Sequence, residues 1–246
     1  MGATSSFAPE EPCTAAQSSC INAALLEPNR YVDGVDTSDI ELALVEFYAR
    51  LLAVPDRRGY DENTRSWDAQ IVEGRALFFE SGCNGCHQQR FTTGVAAGSV
   101  LGDIDINRLV PDAEPIEVLS NQDIYPYTDL LLHDMGGSCL PVSREFENGS
   151  ACPAGENCTY VLRCDGLADG RPDLLADGTE WRTPLLWGIG LAQTVNPAAT
   201  LLHDGRARTL EEAVLWHGGE ATASLNAVLA LTEPERDALY AFLESL

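Results

Sequence analysis

The chain has 246 residues, which fits one soluble domain with an elaboration and falls short of two full domains. Apolar residues make up 45% of it, which excludes an intrinsically disordered protein. The net charge is −23 and all 15 basic residues are arginine, which argues against nucleic acid and anionic membrane surfaces. If the protein has a partner, this charge favours a cationic one, and the alternative is a solvated acidic surface.

The N-terminal part of the chain divides near residue 35. Residues 1–35 are small, polar and Pro-containing and predict an extension or linker, in which Cys13 and Cys20 are close enough to close a small loop. Residues 36–246 predict a single folded domain. Its first helix is expected to begin at the capping box of Ser38 and Glu41 and to end before Pro55.

Residues 83–87 read Cys-Asn-Gly-Cys-His, the C-x-x-C-H pattern by which a c-type haem is attached to a chain. Cys83 and Cys86 are expected to form thioether bonds to the porphyrin, and His87 to be the proximal iron ligand. An amphipathic helix over residues 67–81 is predicted before this motif. The alternative is a zinc knuckle, which needs a second ligand pair. The chain has no second C-x-x-C, so the sequence predicts one covalent haem c.

Residues 88–180 are rich in Gly, Pro and Asp and are predicted to be loop-like. A loop of this length is unusual in a compact domain, which indicates an insertion at about residues 136–170. Four cysteines fall in or beside it and are expected to form two disulfides, with the pairing left open: Cys139, Cys152, Cys158 and Cys164.

The last 65 residues again predict helices. Capping boxes begin at Thr209 and Thr232, and the first of these helices is expected to carry His217. The second has Pro234 in its first turn and runs to Leu246 with one apolar stripe.

Three segments of the chain, residues 127–136, 181–188 and 202–213, resemble the di-haem oxidoreductase family, also labelled thiol oxidoreductases. That family is similar to the bacterial di-haem cytochrome c peroxidases. The resemblance covers roughly residues 35–246 and only the C-terminal half of the family. It implies a mainly α, cytochrome c-like haem domain with a long, disulfide-stapled loop insertion, whose final helix packs across the helix before the haem motif.

The second iron ligand follows from the same resemblance. In the peroxidases, a Thr-Leu-Glu-Glu-Ala-Val helix carries a methionine ligand of the relay haem three residues beyond the valine. The equivalent residue here is His217. Met135 is the main rival and an open site the third possibility, while His217 could instead cap the C-terminus of its helix. His133 and His203, each followed by Asp, are expected to hold hydrogen bonds near the haem.

Two arginines next to the resembling segments, Arg182 and Arg206, are candidate partners of the haem propionates, because guanidinium groups bind carboxylates bidentately. Ordinary ion pairs with some of the 38 acidic residues are the alternative.

The predicted function is one-electron transfer through a single six-coordinate haem, like the electron-relay half of a di-haem peroxidase. The alternative is a peroxidase-like enzyme that works with a second haem domain. The expected partner is a redox protein or such a second haem domain, with no nucleic acid and no membrane span. Haem attachment and the even number of remaining cysteines predict a periplasmic or secreted protein, although residues 1–30 show no signal peptide.

Overall fold

The computed structural model describes residues 4–6, 9, 35–96, 117–142, 161–173 and 175–246. These residues form an α-rich fold with short strands. The helices are α1 (Asp39–Arg50), α2 (Ala69–Glu80), α3 (Ala192–Val195), α4 (Leu210–Leu215), α5 (Thr222–Leu229) and α6 (Glu233–Glu244). The strands are β1 (Tyr60–Asp61), β2 (Ser66–Trp67), β3 (Phe91–Thr92), β4 (Asp123–Ile124), β5 (Leu132–Asp134), β6 (Cys139–Val142), β7 (Val161–Cys164) and β8 (Glu180–Arg182).

The chain forms two compact units, one of residues 1–54 and 90–125 and the other of residues 55–89 and 126–246. The first unit contains α1 and the antiparallel pair β3–β4. Helix α1 begins as predicted, because Ser38 and Glu41 form the full capping box. The second unit contains the C-x-x-C-H motif and all other helices. The predicted domain boundary at residue 35 stays a prediction.

The core of the second unit lies where α2 crosses α6. Phe78 of α2 packs against Phe242 of α6 and Tyr127, with ring centroids 5.4 and 5.9 Å away. Gly74 makes the close approach of the two helices possible, since a Cβ there would clash with the carbonyl oxygen of Ala238. The sequence correctly predicted that the terminal helix packs on the helix before the haem motif.

The predicted loop region contains short antiparallel strand pairs that the sequence did not predict. Strand β5 pairs with β8, and β6 pairs with β7. The disulfide Cys139–Cys164 crosslinks β6 and β7, which confirms a crosslink in the predicted insertion. The other predicted disulfide cysteines, Cys13, Cys20, Cys152 and Cys158, lie outside the described residues.

The N-terminal caps of the C-terminal helices differ from the prediction in one respect. Helix α6 begins with a carboxylate of Glu235 that accepts hydrogen bonds from the backbone N–H and the hydroxyl of Thr232. Helix α4 has only half a capping box, because Thr209 accepts from Glu212 N–H while the Glu212 carboxylate binds Arg208. Within the described ranges, no helix is both long and apolar enough to cross a membrane.

Candidate haem site

The C-x-x-C-H motif lies directly after α2, whose N-terminus is capped by Asp68. The helix gives way at Gly82, which has a φ of 78°, to a tight 3₁₀ turn over Cys83–Gly85. Cys83 and Cys86 form no disulfide. Burial raises the pKa of the Cys83 thiol to about 11, and burial together with the negative charge of Asp129 raises the pKa of Cys86. The raised pKa values favour the protonated thiol over the thiolate at both sulfurs.

His87 is held in the orientation that an iron ligand needs. Its Nδ1 lies 2.9 Å from the carbonyl oxygen of Tyr127. Because a carbonyl only accepts hydrogen bonds, Nδ1 carries the proton and Nε2 has a free lone pair. Burial lowers the pKa of His87 to about 4, so the ring is neutral at pH 7. Phe78 supports the ring from the core, with centroids 6.4 Å apart.

His217 has the same arrangement of its ring nitrogens. Its Nδ1 lies 2.8 Å from the carbonyl oxygen of Ala213, which again leaves Nε2 free. Helix α4 ends at Leu215, so His217 follows the helix rather than lying on it as predicted. The ring therefore does cap the helix C-terminus, the role weighed as the alternative to iron binding. Capping uses Nδ1 and ligation would use Nε2, so both roles fit one orientation.

The rings of His87 and His217 lie close together, with centroids 6.5 Å apart. With metal–imidazole bonds of about 2.0 Å and about 1.1 Å from each nitrogen to its ring centre, two imidazoles on opposite sides of one metal ion would have ring centres about 6.2 Å apart. The observed separation fits one metal ion between them. Large apolar side chains next to the segments that carry these ligands are also exposed, as an apolar macrocycle requires: Leu130, Leu131, Leu132, Leu215 and Trp216. The residues present thus fit a haem.

The other candidate ligands have different surroundings. Met135 is half-buried, and its backbone lies against Gly218 and Gly219, immediately after His217, so it remains the rival ligand. His203 stacks on Trp181, with centroids 3.5 Å apart and planes 9° from parallel. Burial lowers the pKa of His203, so the stacked ring is neutral at pH 7.

His133 holds hydrogen bonds, as predicted. Its Nε2 lies 2.9 Å from an Asp129 oxygen and its Nδ1 lies 3.0 Å from a Glu220 oxygen. The hydrogen bond with Glu220 raises the pKa of His133 most, and the hydrogen bond with Asp129 raises it further. In the described part of the chain, Cys86, Asp129 and His133 form the one group of three or more His, Cys, Asp or Glu residues whose donor atoms all lie within 4.8 Å of one another. A thioether at Cys86 would remove one of these donors, and both nitrogens of His133 already face carboxylates.

The two candidate propionate partners differ in how their guanidinium groups are engaged. Arg206 donates from Nε to Asp204 over 2.6 Å and from Nη1 to the Gly166 carbonyl, and it lies 4.7 Å above the Trp216 ring. Arg182 is exposed at the end of β8, and within the described ranges it forms no hydrogen bond or ion pair. Arg182 is thus the more available cation, and propionate binding by either residue stays a prediction.

Comparison with known proteins identifies the family. The family model described as "Di-haem oxidoreductase, putative peroxidase" matches residues 1–151 and 160–246. The chain belongs to the di-haem oxidoreductase family. This membership implies a haem cofactor and a haem-based redox function. The match also includes the first 35 residues, which the resemblance noted in the sequence left out.

Other comparisons add little to the family assignment. No curated protein matches the chain. A solved structure of hydrazine synthase from Kuenenia stuttgartiensis, pressurized with xenon, is similar to this family member at 19% identity and a TM-score of 0.44. That alignment covers 100% of this chain and 68% of the hydrazine synthase chain.

One residue at this site has no signal in the sequence. Glu220 lies in a short turn after the two glycines that follow His217, and its carboxylate reaches back to β5. Neither a motif nor a periodic pattern distinguishes it from the other acidic residues. Only the folded structure brings the Glu220 carboxylate to β5.

Proposed function

We propose that this chain is a c-type cytochrome domain that carries single electrons through one covalent haem. Cys83 and Cys86 would hold the porphyrin, and His87 and His217 would bind its iron. The domain corresponds to the electron-relay half of a di-haem peroxidase. Its fold would then be of the cytochrome c type, with α2 and α6 as the helix pair that supports the haem.

The separation of His87 and His217 carries this proposal. Two imidazoles that use Nδ1 to bind backbone carbonyls, with Nε2 left free and centroids 6.5 Å apart, would fit one iron between them. A six-coordinate iron has no position left for peroxide, which favours electron transfer over catalysis. Both ligands are imidazoles, so the reduction potential should be low for a cytochrome c, in which methionine ligation raises the potential.

The haem supplies a reversible one-electron couple, and the residues of the chain fix its surroundings. The Tyr127 carbonyl orients His87, and the Ala213 carbonyl orients His217. Hydrogen bonds of this kind set the tautomer and the basicity of a ligating imidazole. Phe78 and the α2–α6 core keep the proximal ligand rigid, which limits structural reorganisation when the iron changes its charge.

A peroxidase that works with a second haem is the second candidate function. The family's own description favours it, because that description names two haems and a peroxidase. The present chain contains one C-x-x-C-H motif. If the protein is a peroxidase, the second haem therefore lies on another polypeptide segment, and this domain would pass electrons to that haem.

The net charge of the chain and its disulfide support a proposed redox partner and a proposed cellular compartment. A net charge of −23 favours a redox partner with a cationic contact surface. The Cys139–Cys164 disulfide supports an oxidising compartment, either the periplasm or the outside of the cell.

Replacing the distal ligand tests the proposed function. His217→Ala should convert a low-spin haem into a high-spin haem that binds carbon monoxide in the ferrous state. His203→Ala is the matched control and should leave the haem low-spin, because His203 packs on Trp181. A wild-type spectrum in His217→Ala would contradict the proposal. If the spectrum of the parent protein instead shows a methionine–iron absorption band at about 695 nm, the iron ligand is Met135.

A further inference from the structure

The segment of residues 127–136 contacts both turns that carry the axial ligands. At its start, Tyr127 accepts the hydrogen bond from His87, and Thr128 N–H donates to the Gln88 carbonyl over 3.0 Å. At its end, residues 134–136 lie against the Gly218–Gly219 pair. Between these points, β5 is paired with β8, which makes the segment part of a sheet rather than a free loop.

The contact at the distal end depends on two glycines. A Cβ at Gly219 would clash with the Asp134 carbonyl and also with the carbonyl carbon of Met135. Gly219 also has a φ of 51°, a backbone angle that residues other than glycine rarely adopt. The glycine pair permits this close approach, but it also makes the backbone after His217 easy to reorient.

Glu220 holds this flexible backbone in place. One oxygen of its carboxylate accepts the Asp134 N–H over 3.0 Å, and the other lies 3.0 Å from His133 Nδ1. The opposite nitrogen of His133 binds Asp129, whose side chain is only 5% exposed. The carboxylate is thus bound at both oxygens by groups that are themselves fixed, unlike a typical pair of flexible surface side chains.

We propose that Glu220 is a positioning residue that fixes the distal ligand His217 by docking the turn after it onto His133 and Asp134. The inference rests on the proposed function, because it takes His217 as the distal ligand. Without Glu220, the turn after His217 loses both hydrogen bonds that its side chain forms with β5. The imidazole should then leave the iron more often.

Binding of carbon monoxide to the ferrous haem-loaded protein measures how often His217 leaves the iron. Glu220→Ala should raise the binding rate about tenfold, since hydrogen bonds to a charged group are lost. Glu220→Gln keeps an acceptor for the Asp134 N–H and should give an intermediate rate. Glu62→Ala is the matched control, because it removes an exposed glutamate from the β1–β2 connection of the same unit, and its rate should stay within twofold of wild type.

The outcomes separate this inference from the proposed function. A Glu220→Ala rate within twofold of wild type, or an equal rise in Glu62→Ala, overturns the positioning role while His217→Ala still opens the site. If His217→Ala itself leaves the spectrum unchanged, the proposed function fails. If Glu220→Ala does not retain haem, His133→Ala removes the hydrogen bond to Glu220 Oε2 from the other side. A rate more than twofold above wild type is then expected, and a smaller change overturns the inference.

Discussion

The crossing of α2 and α6 can be tested by filling its closest point. In Gly74→Ala, the new methyl group would clash with the Ala238 carbonyl and lie 2.9 Å from the Phe242 Cβ. The clash is with helix backbone, so relief requires the two helices to move apart. Overpacking of this kind costs about 1–3 kcal/mol of unfolding free energy. Replacing glycine by alanine inside a helix returns about 0.5–1 kcal/mol, because the unfolded chain is less flexible.

The net effect should be a loss of about 1.5 kcal/mol, which lowers Tm by about 3–6 °C for a protein of this size. Thermal unfolding should be followed by haem absorbance, which reports on the unit that contains the motif, and by circular dichroism. Gly94→Ala is the control, because no atom of the described residues lies within 4 Å of its added Cβ, and it should shift Tm by no more than about 2 °C. An unchanged or higher Tm in Gly74→Ala would refute the close packing, since helix propensity alone predicts an increase.

Three further predictions concern the cysteines, the arginines and peroxide. Thiol titration of the unfolded, unreduced protein should find no free cysteine, and two or more free thiols would contradict the disulfide assignment. Arg182→Gln should lower the reduction potential measured by redox titration, because a cation beside the haem favours the reduced iron. The exposed Arg171→Gln is its control, and equal potentials would exclude a propionate contact for Arg182. The wild-type protein should show weak or no turnover of peroxide, and fast turnover in an activity assay would favour the peroxidase function.

Local signals in the sequence predicted the helices well. The capping box at Ser38 and the pattern at Thr232 correctly gave the starts of α1 and α6, because a cap depends on residues three positions apart. Strand β2 holds Trp67, so α2 begins at Ala69, two residues later than predicted. The sequence predicted that α4 extends to His217, but the helix stops at Leu215. The ring of His217 folds back and binds the Ala213 carbonyl.

The strands and much of the site could not be predicted in this way. Strands β5 and β8 have three residues each and lie almost 50 residues apart, too short and too distant for a periodic pattern. Their pairing places His133 opposite Trp181 and gives Glu220 its partner. The motif alone predicts Cys83, Cys86 and His87 as the haem-binding residues, because haem attachment needs these three groups at this spacing. The hydrogen bond from His87 to Tyr127 spans 40 residues and needed the fold.

The number and the spin state of the haem test the central claim most directly. Mass spectrometry of the denatured protein should show one haem added covalently through Cys83 and Cys86. The visible spectrum of the same sample should be that of a six-coordinate, low-spin iron with two imidazole ligands. Haem that extracts into acidified organic solvent, a zinc ion in its place, or a five-coordinate high-spin spectrum would contradict the account.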